Sequence, residues 1–317
     1  MDNPETPPQS VFFRLHPSLR QVIHSSLGWH ELRDIQELAY EPVMAGENLL
    51  LMARTAGGKS EAAFIPVLDT ILTRSPALPV CLYISPLRAL ISDLAARLDA
   101  LLSPLHLSAV QIHGDAPRQP GSPDPPALIL TTPESLTVLL YRKGSPLLDR
   151  IRICIIDEVH ALAGSERGAQ LMTALAMMEA GFGVSIQRVG LSATIGNPDE
   201  VLGWMSPAGR PASVIRAGPE PLAREFHFLT GGEETGGEVL LPLLRGRRSL
   251  VFTRSRSEAE ILSQQLDGAG VPIFVHHSSL SPASRREAEA IFVSGPGGAI
   301  ICTSTLELGI DVGALDL

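Results

Sequence analysis

A chain of 317 residues, 44% hydrophobic and 19% charged, is long enough for two domains with cores of their own. Aromatic residues make up 4%, so aliphatic side chains must carry the packing. A formal net charge of −9 excludes a protein that coats nucleic acid by bulk charge, but not a narrow groove that touches a few phosphates.

The N-terminus, MDNPETPPQS, is acidic and proline-rich, unlike a secretory leader. No apolar run is long enough to span a bilayer. A cytoplasmic protein with no membrane contact is expected. Short β-rich runs then recur along the chain: NLLLMA (48–53), VCLYIS (80–85), AVQIH (109–113), ALILTT (127–132), RICIID (152–157) and QRVGLSA (187–193). After a break come REFHFL (224–229), SLVFTR (249–254), PIFVHH (272–277) and AIICTS (299–304). Amphipathic segments such as LRALISDLAARLDALL (87–102) and SRSEAEILSQQLDGAG (255–270) lie between them. Alternating strand and helix predicts an α/β fold with mainly parallel sheets, and continuous apolar strands predict helices on both faces.

The break, RAGPEPLA through TGGEETGGE (216–238), reads as linker, giving one domain over 1–215 and a second over 216–317. PRQPGSPDPPA (117–127) reads as a surface loop of the first. Cys81, Cys154 and Cys302 each lie in an apolar run and are expected as buried thiols of a reducing compartment. Cys/His spacing offers no zinc site.

Two stretches carry chemistry. ARTAGGKS (53–60) follows the strand NLLLM and precedes EAAFIPVLDTIL, the strand, glycine turn and helix of a phosphate-binding loop. Backbone N–H groups of such a turn cradle an anion. Lys59 would reach the β- and γ-phosphates of ATP, and Ser60 would offer its hydroxyl to Mg²⁺. Alternatively, the glycines merely cap a helix beside an exposed lysine. IRICIIDEVHAL (151–162) ends an apolar strand in Asp157 and Glu158. Carboxylates there face the crevice where doubly wound sheets bind ligands. Asp157 can hold Mg²⁺, and Glu158 can act as general base on the attacking water. The bland alternative is an exposed helix cap, but both stretches in one α/β domain and in this order disfavour it.

Asp157-Glu158-Val159-His160 resembles the DExH box of superfamily 2 helicases, and further stretches fit that family in its order over nearly the whole chain. LRDIQ (32–36) resembles the Q motif, which implies that Gln36, with Arg33, binds the adenine end of ATP; a carboxamide can pair with adenine N6 and N7. SPLRAL (85–90) and TTPESL (131–136) resemble the strand-contacting motifs, implicating Pro86, Arg88, Thr131, Thr132 and Pro133. A helix start with hydroxyls binds phosphate without reading sequence. Ser192-Ala193-Thr194 resembles the motif that couples hydrolysis to domain movement, with His160 as its hydrogen-bond partner near Thr194. VFTRSRSEAE, HHSSLS and TSTLELGIDVG resemble the second-domain motifs. They implicate Arg254, His277, Ser278, Thr303 and Ser304 in strand contact, and Gly309 and Asp311 in nucleotide binding. For His276 and His277 a purely structural hydrogen-bonding role is the equal alternative.

The wording of FFRLHPSLR, SPLRAL, VHHSSLS and TSTLELGIDVG is most similar to the large helicase-related (Lhr) branch. The resemblance implies two RecA-like P-loop domains, the second incomplete, with ATP and Mg²⁺ between them. It implies 3′→5′ movement on single-stranded DNA in repair or genome defence. An RNA substrate, or a non-translocating nucleotide-dependent clamp, is the alternative. Two departures stand out. The family pattern A-x-T-G-x-G-K-T here reads Ala53, Arg54, Thr55, Ala56, Gly57, Gly58, Lys59, Ser60. Ala56 in place of glycine costs about 1 kcal/mol if the position is left-handed. Weakened nucleotide affinity is expected, and an Ala56→Gly titration that leaves affinity unchanged would contradict this. The arginine-rich motif that completes the family's ATP site is absent before Leu317, so the chain reads as truncated and the 317 residues alone are expected to hydrolyse ATP poorly.

Overall fold

The computed structural model describes residues 10–53, 57–113, 125–141, 147–193, 195–216, 236–281, 284, 287–288, 290–292 and 297–303. The chain divides into two compact units, Met1–Pro219 and Glu220–Leu317.

The first unit opens with three helices, α1 (Val11–Arg14), α2 (Pro17–Leu27) and α3 (Asp34–Met44). Pro17 at the first turn and Gly28 in the left-handed region at the C-cap delimit α2. Strand and helix then alternate: β1 (Asn48–Met52), α4 (Lys59–Arg74), β2 (Cys81–Ile84), α5 (Arg88–Leu102), β3 (Ala109–Ile112), β4 (Leu128–Thr131) and α6 (Pro133–Tyr141). They continue as β5 (Ile153–Ile156), α7 (Val159–Leu162), α8 (Glu166–Phe182), β6 (Gln187–Ser192), α9 (Pro198–Met205) and β7 (Ala212–Arg216). The sheet runs β3-β4-β2-β5-β6-β1-β7, and every strand pair in it is parallel.

Side-chain alternation divides each central strand between two cores. Leu49, Leu51, Cys81, Tyr83, Ile153 and Ile155 enter the core under α2 to α5. Leu50, Met52, Leu82, Ile84, Cys154 and Ile156 enter the core under α7 to α9. Both faces are covered, as the unbroken apolar runs predicted. The edge strand β7 was not predicted. Its sequence ASVIR is only half-buried and adjoins the glycine- and proline-rich break.

One close packing point fixes α8. A Cβ on Gly168 would lie 2.0 Å from the Leu162 carbonyl oxygen and 2.8 Å from Trp204. In a free helix, Gly→Ala stabilises by about 1 kcal/mol. Here the sign reverses: Gly168→Ala should destabilise by about 1–3 kcal/mol and lower Tm by roughly 2–12 °C in a thermal melt.

The second unit contains α10 (Gly236–Leu244), β8 (Arg248–Phe252), α11 (Arg256–Leu266), β9 (Ile273–His276) and β10 (Gly298–Cys302). Its sheet runs β8-β10-β9, again parallel. The run REFHFL, most of the loop PRQPGSPDPPA and the chain beyond Thr303 lie outside the described residues. Among the described residues no helix is long and apolar enough to cross a membrane.

Candidate nucleotide and nucleic-acid site

Because the sheet is parallel, the C-terminal ends of its strands share one edge. Along it stand the loops after β4 (Thr132-Pro133), β2 (Ser85-Pro86), β5 (Asp157-Glu158), β6 (Ala193) and β1 (the phosphate-loop sequence). Backbone bonds tie neighbours together: Ser85 N–H to the Thr131 carbonyl at 3.0 Å, Asp157 N–H to Ile84 at 2.8 Å and Ala53 N–H to Ser192 at 3.3 Å. The two sequence-predicted sets are thus brought together on one edge.

Gly57 and Gly58 form the turn into α4 and Lys59 and Ser60 begin the helix, while Arg54, Thr55 and Ala56 lie outside the described residues. Gly58 has φ +81° and caps α4. The left-handed backbone favours glycine, and a Cβ there would lie 2.7 Å from Gln36 Nε2 and 3.3 Å from Arg33 Cδ. Gln36 is buried; its Oε1 accepts from Arg33 N–H at 2.9 Å and its Nε2 faces the Gly58 carbonyl at 3.4 Å. The predicted adenine residues therefore rest directly on the phosphate turn. Lys59 Nζ donates to the Ala53 carbonyl at 2.7 Å, across the mouth of the loop.

Asp157 continues the alternation of Ile153 and Ile155 and so faces α4. There the hydroxyl of Tyr83, a residue the sequence reading passed over, interacts with both Asp157 and Ser60. Tyr83 is 1% exposed and stacks on Phe64, centroids 5.3 Å apart. A polar-tipped aromatic in an aliphatic strand signals such a partner, since a buried tyrosine hydroxyl needs one. Ser60 and Asp157 are thereby held as neighbouring hard oxygen donors. That suits Mg²⁺, which takes one or two protein oxygens and fills the rest of its shell from phosphate and water. Tyr83→Phe should cost about 1.5–3 kcal/mol at pH 8 in urea unfolding with chelator, because a buried carboxylate loses a donor. An unchanged midpoint would show that the hydroxyl is not that donor.

Burial sets the electrostatics. It raises the Asp157 carboxyl, against the opposing pull of the Tyr83 hydroxyl, the Glu158 N–H and Lys59. Burial and then the Asp157 charge push Glu158 up to about 7, with Lys59 opposing. Burial lowers Lys59, while Glu158, Asp157 and Glu61 pull it back. Glu158 also has φ +44°, a left-handed conformation rare for a non-glycine residue and concentrated at functional sites. Its carboxylate Oε2 lies 3.5 Å from His160 Nδ1, which is 3.1 Å from Ser192 Oγ. His160 therefore links Glu158 to Ser192. Thr194, the expected partner, lies outside the described residues.

In the strand-contacting set, Thr132 sits at the start of α6, its Oγ1 accepting from Ser135 N–H at 3.3 Å. Arg88 is exposed at the start of α5. Thr131, Thr132, Pro86 and Pro133 are buried, and Thr131 spends its hydroxyl on the Ile112 carbonyl at 2.5 Å. That bond ties the end of β4 to β3. Arg167 in α8, which the sequence reading also missed, contacts both loops. Its Nε donates to Glu134 Oε1 at 2.5 Å, and its Nη2 donates to the Pro86 carbonyl at 2.8 Å.

The second unit repeats the edge logic. Arg254 follows β8, His277 and Ser278 follow β9, and Thr303 follows β10, with Thr253 N–H on Cys302 and Thr303 N–H on His276 carbonyls. Arg254 is exposed and paired with Glu258 at 2.9 Å. Ser278 is exposed. His277 is 4% exposed with Nε2 2.8 Å from Glu260, a contact that fits its structural alternative, while its Nδ1 is buried without a hydrogen-bond partner among the described residues. Ser304, Gly309 and Asp311 lie outside the described residues.

The DEAD/DEAH box helicase family model matches residues 33–201, and the helicase conserved C-terminal domain matches 237–317. The Lhr helicase/probable uracil glycosylase of Mycolicibacterium smegmatis is 30% identical over 88% of this chain and 23% of its own length. The ATP-dependent helicase Lhr-Core of Methanothermobacter thermautotrophicus is 28% identical over 96% of this chain and 40% of its own. The structure of Mycobacterium smegmatis helicase Lhr bound to ssDNA and AMP-PNP superposes with a TM-score of 0.75 at 29% identity, covering 97% of this chain and 44% of that one. The chain thus spans between about a quarter and two-fifths of the length of these curated relatives. Matched over more than half its residues, it belongs to the DEAD/DEAH box helicase family and, within it, is similar to the Lhr and Lhr-Core helicases.

Proposed function

We propose that this chain is the motor region of an ATP-dependent nucleic-acid helicase that moves 3′→5′ along single-stranded DNA in repair or genome defence. One observation carries the reading. The phosphate turn and the carboxylates lie on the same sheet edge as the loops after β2 and β4, with His160 linking Glu158 to Ser192. Hydrolysis chemistry and strand contact are therefore mechanically adjacent.

The residues divide the work by their chemistry. Backbone N–H groups of Gly57, Gly58 and the α4 N-terminus cradle phosphate oxygens, and Lys59 supplies a cation to the β- and γ-phosphates. Gln36 and Arg33 bind the adenine end, and Ala56 weakens the grip. Ser60 and Asp157 would hold Mg²⁺, which supplies charge neutralisation on the phosphates. Glu158, poised near neutrality, orients the attacking water and takes its proton. Thr132 and Arg88 contact the strand backbone in the first unit. Arg254, Ser278, Thr303 and Ser304 do so in the second, where Gly309 and Asp311 reach the nucleotide. Domains over 1–215 and 216–317 form the two RecA-like halves. The three buried free cysteines suit the reducing cytoplasm.

DNA is favoured over RNA because the similar Lhr structure holds ssDNA. The test is unwinding by the full-length polypeptide of DNA and RNA duplexes with 3′ or 5′ single-stranded tails. ATP-dependent unwinding of the 3′-tailed DNA alone is expected. Preference for RNA, or ATP-dependent strand binding without unwinding, would establish the RNA helicase or the clamp instead.

A further inference from the structure

We propose that Arg167 is a positioning residue that couples strand binding to ATP hydrolysis, through the linkage it makes between the loops after β2 and β4 and the helix that follows the carboxylates. The proposal rests on the reading above that those loops hold the strand.

Arg167 lies in the first turn of α8 and makes a forked contact with Glu134, Nε to Oε1 at 2.5 Å and Nη2 to Oε2 at 3.3 Å. The same Nη2 donates to the Pro86 carbonyl at 2.8 Å. One planar guanidinium thus fixes the loop after β2 and the first turn of α6 together. Lysine, a point donor, cannot reproduce the fork. Farther along, Gln170 Nε2 donates to Thr137 Oγ1 at 3.0 Å, so α6 and α8 are joined twice.

The other end of the linkage is equally tight. Ser165 caps α8, accepting from Gly168 N–H at 3.1 Å and donating to the Leu162 carbonyl at 2.7 Å. The Gly168 backbone abuts that same carbonyl, leaving no room for a methyl group. Leu162 ends α7, the single turn capped by Glu158. A shift of the strand loops is therefore passed through Arg167 to the start of α8, then through Leu162 to the left-handed turn at Glu158. Without Arg167 the α8 anchor remains, but the strand loops are no longer fixed to it. As a mere surface ion pair it would contribute little, since half-exposed pairs are worth about 0–1 kcal/mol. The Pro86 carbonyl bond and the fork are what a purely solvated pair would lack.

The test uses the full-length polypeptide and single-stranded DNA, reading the ratio of strand-stimulated to basal ATP hydrolysis together with the strand concentration for half-stimulation. Arg167→Ala should lower the ratio roughly fivefold or more, the scale of ordinary intersite coupling. Arg167→Lys should recover only part of it. Glu134→Gln should also lower the ratio, and adding it to Arg167→Ala should do no further harm, because both act through one link. If Arg167→Ala does not fold, Arg167→Lys and Glu134→Gln carry the test. A ratio unchanged in these variants, or losses that simply multiply, overturns the proposal while leaving the helicase reading intact. A wild-type protein whose hydrolysis ignores single strands overturns both.

Discussion

Replacing Glu158 with glutamine is expected to lower strand-stimulated ATP turnover by about 10²–10⁴-fold while leaving ATP-dependent strand binding in place. Glutamine keeps the shape of the side chain and removes the group that accepts a proton. A nucleotide-dependent clamp that never turns over would be unaffected, so the variant separates motor from clamp. The same substitution has a second, independent signature in the apo protein. Burial and the Asp157 charge raise the Glu158 carboxyl from its ordinary 4.5 to about 7. Below 4.5 the group is protonated in both folded and unfolded chains. Between 4.5 and 7 the unfolded chain releases the proton while the folded one keeps it, so the stability it contributes is lost as pH rises through about 7. Glu158→Gln abolishes that loss. With chelator present and no nucleotide, the variant should melt above wild type at pH 8, and the gap should close towards pH 4.5. An equal gap at both values would show that Glu158 is not perturbed by its surroundings.

Lys59→Ala is expected to weaken ATP binding by roughly 10- to 100-fold, the loss of a charge-assisted contact of about 1.5–3 kcal/mol. The variant also removes the cation that Asp157 and Glu158 face, so the two carboxylates repel without compensation. Direct titration with a fluorescent ATP analogue measures the first effect. A chemical probe gives a second view, because the chain has only two lysines, Lys59 and Lys143. Burial lowers the Lys59 ammonium below its ordinary range, which raises its neutral, nucleophilic fraction. An acyl-phosphate derivative of ATP should acylate Lys59, with excess ATP protecting it, and should leave Lys143 insensitive to ATP.

Much of this was legible in the residues. Alternating apolar strands and amphipathic helices were sufficient for the parallel sheet, because side-chain period and burial on two faces leave a visible pattern. Glycines before Lys59 and carboxylates after ICII could be placed because strand ends locate them without tertiary knowledge. What escaped was of two kinds. Edge strand β7 and helix α2 had signals, a short β-rich run beside a linker and a Pro17…Gly28 bracket around an amphipathic segment. Tyr83 and Arg167 act across the sheet, bonding to residues distant in sequence. Tyr83 had one clue, its hydroxyl in an apolar strand. Arg167 had none, since a charged residue in the first turn of a helix is the commonest of surface features. Thr131 and His277 show what the sequence does not display: both side chains are buried, Thr131 bonding the Ile112 carbonyl and His277 facing Glu260.

The central claim is that one sheet edge joins ATP hydrolysis to strand contact. The most direct test is steady-state ATP hydrolysis by the full-length polypeptide, measured with and without saturating single-stranded DNA, with Glu158→Gln as control. Hydrolysis that rises severalfold or more with the strand, and vanishes in the control, is the predicted result. Hydrolysis indifferent to the strand, or surviving in Glu158→Gln, would contradict the account.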